Sequence, residues 1–125
     1  AEKNNIKFKF NSYFPIKSLN LMRGVLVAEE DNIKNYYIEN IFNSIWQDGL
    51  NMNDENIIQK VLKNLNINPK TFFLRSTSSS IKELLKTKTG EAYNKGVFGA
   101  PSFVVNNKIF WGQDRIEFAL NELSK

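Results

Sequence analysis

Between Gly96 and Arg115 the sequence GVFGAPSFVVNNKIFWGQDR breaks the helical period that governs most of this chain. The runs SFVV and KIF flank Asn106-Asn107, a pair that tolerates the positive φ values of a two-residue hairpin turn. Both faces of this hairpin are apolar, with Phe103, Val104 and Val105 in one strand and Ile109 and Phe110 in the other. An isolated hairpin is marginal in water, and apolar residues on both faces predict a sheet covered on both sides. The one other extended stretch, IKFKF at residues 6–10, alternates apolar residues with lysine. It does not supply the strands such a sheet needs. The chain therefore reads as α/β, mainly helical, and as the C-terminal part of a larger protein. Its beginning, AEKNN without a Met, reads as an interior starting point.

The rest of the pattern is helical. A first helix from residue 18 to about 30 places Leu19, Met22 and Leu26 on one face. Asp31 or Asn32 can cap a second, with Ile33, Tyr37, Ile41 and Ile45 inward, Trp46 near its end and Gly49 closing it. A third, capped by Asn53 or Asp54, buries Ile57, Ile58, Val61, Leu62 and Leu65. Asn68 and Pro69 open a short fourth helix. The fifth begins with a Ser80–Glu83 capping box and stops at Lys95-Gly96. Gly90 in its middle predicts a bend or a closely packed backbone. Asp114 and Glu117 form a second capping box, opening a last helix with Ile116, Leu120 and Leu123 inward. The expected division is 1–95, an extended segment plus a helical insertion, and 96–125, a closing half.

Composition excludes much chemistry. With 125 residues, 42% of them hydrophobic, the chain can bury one core. The net charge of +4 comes from scattered lysines rather than a stripe, so no nucleic-acid partner is expected. There is no Cys and no His, which removes a thiolate nucleophile, the usual general base and the usual metal ligands. No apolar run approaches the roughly 20 residues of a membrane helix. A site here must be built from backbone.

Proline at the first residue of a strand is ordinarily trans. Here a helix stop at Gly96, a Gly99-x-Pro101 step, a hairpin and a helix follow the order of the C-terminal half of a thioredoxin fold. In that fold the proline is cis, and the residue before it turns its backbone outward to pair with an extended peptide. The turn WGQDR then offers a helix N-terminus for a carboxylate and Asp114 for an ammonium. An α-amino-acid end carries both groups, and glutathione fits that description.

The segment GVFGAPSFVVNNKIFWGQDRIEFALNEL resembles the C-terminal end of the 2-hydroxychromene-2-carboxylate isomerase family, relatives of the kappa-class glutathione transferases. Upstream, YFPIKSLNLMRGVLVAEE and IFNSIWQDGLNMNDENIIQKVLKNLNINPKTF resemble the family's helical region. The resemblance implies a DsbA-like thioredoxin fold with a helical insertion, whose N-terminal thioredoxin half is missing from this chain. It implies glutathione held by Ala100, Pro101, Trp111, Gly112, Gln113 and Asp114, and a small aromatic substrate near Lys17 and Ser18. The family usually has Val where Ala100 stands and often Asn where Lys17 stands. Its catalytic Ser lies in the absent half, so no catalytic residue is expected here; Ser12, Ser18 and the serines at 78–80 read as turn and capping residues. The implied function is glutathione-dependent isomerisation of an aromatic catabolic intermediate, in a cytoplasmic homodimer. Two alternatives stand beside it. One is a DsbA-like disulfide oxidoreductase with Cys-x-x-Cys upstream; the other is a non-catalytic thioredoxin-like module pairing with a second chain.

Overall fold

A computed structural model describes residues 5–125; the expected interior start at residue 1 lies outside them. The elements run α1 (Leu19–Glu30), α2 (Lys34–Trp46), α3 (Glu55–Asn64), α4 (Pro69–Ser76), α5 (Ser79–Asn94), β1 (Ser102–Val105), β2 (Lys108–Trp111) and α6 (Ile116–Leu123). They form two compact units, Ala1–Leu85 and Lys86–Lys125, with the division falling inside α5.

The first unit holds the hydrophobic core. α1 packs against both α2 and α4, so it buries more than one stripe: Leu21, Gly24, Leu26, Val27 and Ala28. This corrects the expected face, because Leu19 and Met22 are exposed. Gly24 is small for a reason. A Cβ there would meet the Tyr37 hydroxyl, with Phe72 beside it. Tyr37 is fully buried, and its hydroxyl donates to the Leu21 carbonyl at 3.2 Å. Asp31 and Asn32 do not cap α2: Asp31 is the C-cap of α1, and Ile33 occupies the N-cap position of α2. Asp31 and Glu30 instead hold Arg75, whose two terminal nitrogens reach them at 2.8 and 2.7 Å. That pairing places a cation at the C-terminal end of α1, where the helix dipole favours one.

α3 and α4 start as their sequences dictate. The Asp54 side chain accepts the Asn56 N–H at 2.8 Å, and Asn68 accepts the Thr71 N–H at 3.3 Å with Pro69 at the first turn. At α5 the structure departs from the expected Ser80 box, since the Ser78 hydroxyl accepts from the Ile81 N–H. A Cβ added at Gly90 would meet nothing within 4 Å outside its own stretch of helix among the described residues, and α5 runs unbroken from Ser79 to Asn94. The predicted close approach of another backbone is absent among the described residues. Gly96, at φ +82°, ends the turn that follows.

Residues 6–10 do not form a strand among the described residues. They run as an extended segment tied by Lys9 N–H to the Trp46 carbonyl at 2.6 Å. Phe8 stacks on Trp46 with centroids 5.9 Å apart, and Phe10 and Phe14 lean on the same indole. Asn11, wholly buried, anchors the following turn by donating to the Ile45 and Leu50 carbonyls and accepting from Tyr13 N–H.

In the second unit β1 and β2 pair antiparallel, Ser102 opposite Trp111 and Val105 opposite Lys108. Asn106 and Asn107 take φ values of 48° and 60°, so the two-residue turn forms as the sequence predicts. α6 lies on this hairpin but buries only Ala119 and Glu122. Ile116, Leu120 and Leu123, expected inward, are exposed, as is Phe118. A two-stranded sheet has too little surface to cover them.

Candidate functional site

The second unit brings Ala100 and the Trp111–Asp114 turn together. The Ala100-Pro101 bond is cis, and a second cis bond, not anticipated from the sequence, joins Phe14 to Pro15. Pro101 donates no N–H, but its carbonyl accepts from Gly112 N–H at 2.9 Å, which fixes the turn beside the proline step. The Ser102 hydroxyl reaches back to the Gly99 carbonyl at 2.6 Å. Between these two ties, Ala100 is exposed, and its N–H and C=O have no hydrogen-bond partner among the described residues. An exposed donor and acceptor on one residue can pair with one residue of an extended peptide.

Trp111 closes one side. Its ring lies 5.4 Å from that of Phe98, and its Nε1 sits over Gly99 so closely that a Cβ there would collide with it. Gly112 turns the chain at φ +102°, a conformation that favours glycine, and a side chain at this position would strike the Asp114 carboxylate. Gln113–Arg115 form a 3-10 turn leading into α6. Asp114 therefore does not cap α6, contrary to the expected capping box: the N-cap position falls on Arg115 and no side chain bonds there. The Asp114 carboxylate is exposed and lies 3.6 Å from Arg115 Nε. The Gln113 and Asp114 N–H groups, first in their turn, have no partner among the described residues.

Lys17 and Ser18 lie in the first unit, at the start of α1, and line two different clefts. The segment carrying them is positioned by Asn53, which accepts Lys17 N–H at 2.8 Å and donates to the Tyr13 and Pro15 carbonyls. Asn53 thus staples a turn, a role that only three-dimensional structure reveals. Lys17 borders a cleft of about 500 Å³ that also holds Lys70, Asn20 and Glu55 over an apolar floor. Ser18 borders a cleft of about 320 Å³ between α1 and α2. Ser18 stands at the N-cap position of α1, but its hydroxyl makes no cap bond. Among the described residues no group of acidic side chains could hold a metal ion, and no helix is long and apolar enough to cross a membrane.

With this geometry in place, the comparisons with known proteins are decisive for the fold. A family model of the DSBA-like thioredoxin domain matches residues 1–124. The chain belongs to that family. This DSBA-like domain is 28% identical over 120 residues to a 2-hydroxychromene-2-carboxylate isomerase of Sphingobium xenophagum, covering 94% of this chain and 60% of that protein. It is 28% identical over 80 residues to an isomerase of the same name from Pseudomonas sp. strain C18, covering 64% of this chain and 38% of that one. A solved 2-hydroxychromene-2-carboxylate isomerase structure superposes with a TM-score of 0.85 at 21% identity, covering 99% of this chain and 60% of that one. The DSBA-like domain thus has the mainly helical DsbA-like thioredoxin fold. It spans about 60% of the length of the Sphingobium relative. The family match itself runs from the first residue to 124 and leaves the expected missing N-terminal half unconfirmed.

Proposed function

We propose that this chain carries the glutathione cradle of a glutathione-dependent isomerase of the 2-hydroxychromene-2-carboxylate isomerase type. The supporting observation is the unpaired backbone of Ala100 lying next to a turn with free N–H groups and an exposed carboxylate. The cysteinyl amide of glutathione has the donor and acceptor that Ala100 lacks. Its γ-glutamyl end has a carboxylate for the Gln113 and Asp114 N–H groups and an ammonium for the Asp114 carboxylate. Trp111 and Gly112 shape the floor, Gly112 because any side chain would fill it. Glutathione bound there supplies a thiol that adds to a conjugated double bond and leaves again, allowing the bond to rotate. The reading assigns thiol activation to none of the 125 residues, and gives Lys17 and Ser18 contacts with the aromatic substrate.

Titration of glutathione into the chain, followed by amide NMR, tests this. Saturable shifts at Ala100, Gly112, Gln113 and Asp114 are expected. Asp114→Asn should weaken binding about tenfold, the equivalent of about 1.4 kcal/mol. Calorimetry and NMR that both show no saturable binding would end the reading.

A further inference from the structure

Arg115 stands where a cation is out of place. It occupies the N-cap position of α6, and the partial positive charge of a helix N-terminus disfavours a guanidinium there. Three contacts hold it all the same. Its backbone N–H closes the turn on the Gly112 carbonyl at 3.1 Å. Its guanidinium carbon lies over the Phe118 ring, 5.5 Å from the ring centre and three residues further along the chain. Its Nε lies 3.6 Å from Asp114 Oδ2. The Phe118 ring, on a residue 55% exposed, offers its face to this cation rather than to a core.

The two oxygens of Asp114 face different ways. Oδ2 looks toward Arg115, while Oδ1 turns back over the Gly112 backbone, against the place a Cβ would take. At 3.6 Å the ion pair is too long for a hydrogen bond. It therefore directs the carboxylate and leaves its acceptor sites unspent. No hydrogen bond reaches the Asp114 side chain among the described residues.

We infer that Arg115, carried by Phe118, is a positioning residue that steers Asp114 Oδ1 over the Gly112 turn and so favours ligands whose end bears an ammonium beside its carboxylate. The guanidinium repels an ammonium from the Oδ2 side. That leaves Oδ1, at the start of the turn whose Gln113 and Asp114 N–H groups are free. A ligand end with a carboxylate alone gains those N–H groups and nothing from Asp114; one with an ammonium as well gains both. The inference rests on the cradle proposed above and adds the residues that aim its carboxylate.

The test compares glutathione with glutaryl-cysteinylglycine, which lacks only the ammonium, by NMR titration into the full chain. The unaltered chain should bind glutathione about tenfold more tightly, through one charge-assisted contact. Arg115→Met keeps a long side chain on Phe118 without the charge. It should cost glutathione about threefold to fivefold, the range of an exposed ion pair, and leave glutaryl-cysteinylglycine unchanged. Phe118→Leu should act in the same direction, because the guanidinium loses the ring beneath it. In an Asp114→Asn background Arg115→Met should add nothing, since its effect runs through that carboxylate. A merely structural role would weaken both ligands together. Equal losses for the two ligands, an Arg115→Met or Phe118→Leu variant that binds glutathione as before, or a further loss on top of Asp114→Asn would each overturn the positioning role while the cradle stands. No saturable binding of either ligand by the unaltered chain would end the cradle reading and this inference with it.

Discussion

Single residues in this chain carry more than their type announces. Gly24 is replaceable by Ala on helix propensity alone, which would favour the change by up to about 1 kcal/mol. The structure reverses the sign, because the added methyl meets the buried Tyr37 hydroxyl and ring. Gly24→Ala should destabilise the chain by about 1–3 kcal/mol, read from urea unfolding by far-UV circular dichroism. An unchanged or raised midpoint would show that Tyr37 can move aside. Asn11 poses the same kind of question. Two of its three bonds tie the turn at 11–13 to the end of α2 and the loop after it, and the third closes the turn itself. Removing them by Asn11→Ala leaves the Ile45 carbonyl and the Tyr13 N–H short of a partner, while the Leu50 carbonyl keeps the Met52 N–H, at a cost of about 1–3 kcal/mol. Neither residue stood out in the sequence. Asparagine is abundant here, and a buried one looks no different from one on the surface until its distant partners are known.

At the scale of elements, what the sequence disclosed depended on how local the determining interaction is. Asp54, Asn68 and Pro69 act within one turn, and the asparagine pair acts within the hairpin; all four were readable. The buried faces of α1 and α6 were not. α1 is flanked by two helices, so a single-stripe reading chose exposed Leu19 and Met22 over Gly24 and Ala28. Within its own unit α6 packs on a two-stranded sheet, and among the described residues Ile116, Phe118, Leu120 and Leu123 stay exposed. What fastens α6 is polar. Glu122 accepts from Lys108 at 2.9 Å and Lys125 at 3.0 Å, and the Asn106 side chain donates to its backbone carbonyl. These hydrogen bonds, chiefly that from Lys108, lower the Glu122 pKa to about 2 from an ordinary 4.5. A carboxyl lowered on folding stabilises the folded form above its unfolded pKa, and that contribution fades as pH falls. The second unit should therefore loosen between about pH 4.5 and pH 2, seen in the Trp111 indole signal. Glu122→Gln should remove most of that dependence; a variant that keeps it would locate the titration elsewhere.

At the scale of the whole molecule, the uneven distribution of burial sets what should open first. The hydrophobic core cluster runs from Leu21 to Ile81 and lies entirely within the first unit. Beyond Lys86 only Ala119 and Glu122 are buried, while Phe98, Trp111, Phe118, Leu120 and Leu123 stand more than half exposed. Regions with little buried apolar surface open at a lower free energy than the global transition. Native-state hydrogen exchange should show the β1, β2 and α6 amides exchanging well before those of α1 and α2. Identical opening free energies across both units would mean that the chain unfolds as one body. The same experiment bears on the proposed cradle. A ligand that binds only the closed second unit raises its opening free energy by RT ln(1 + [L]/Kd), about 2.7 kcal/mol at a hundredfold excess over Kd. Glutathione should thus slow exchange in β1, β2 and α6 and leave α1 and α2 as they were. Uniform slowing would instead mean that the two units open together. No slowing at saturating glutathione would leave the exposed backbone of Ala100 to some other extended peptide.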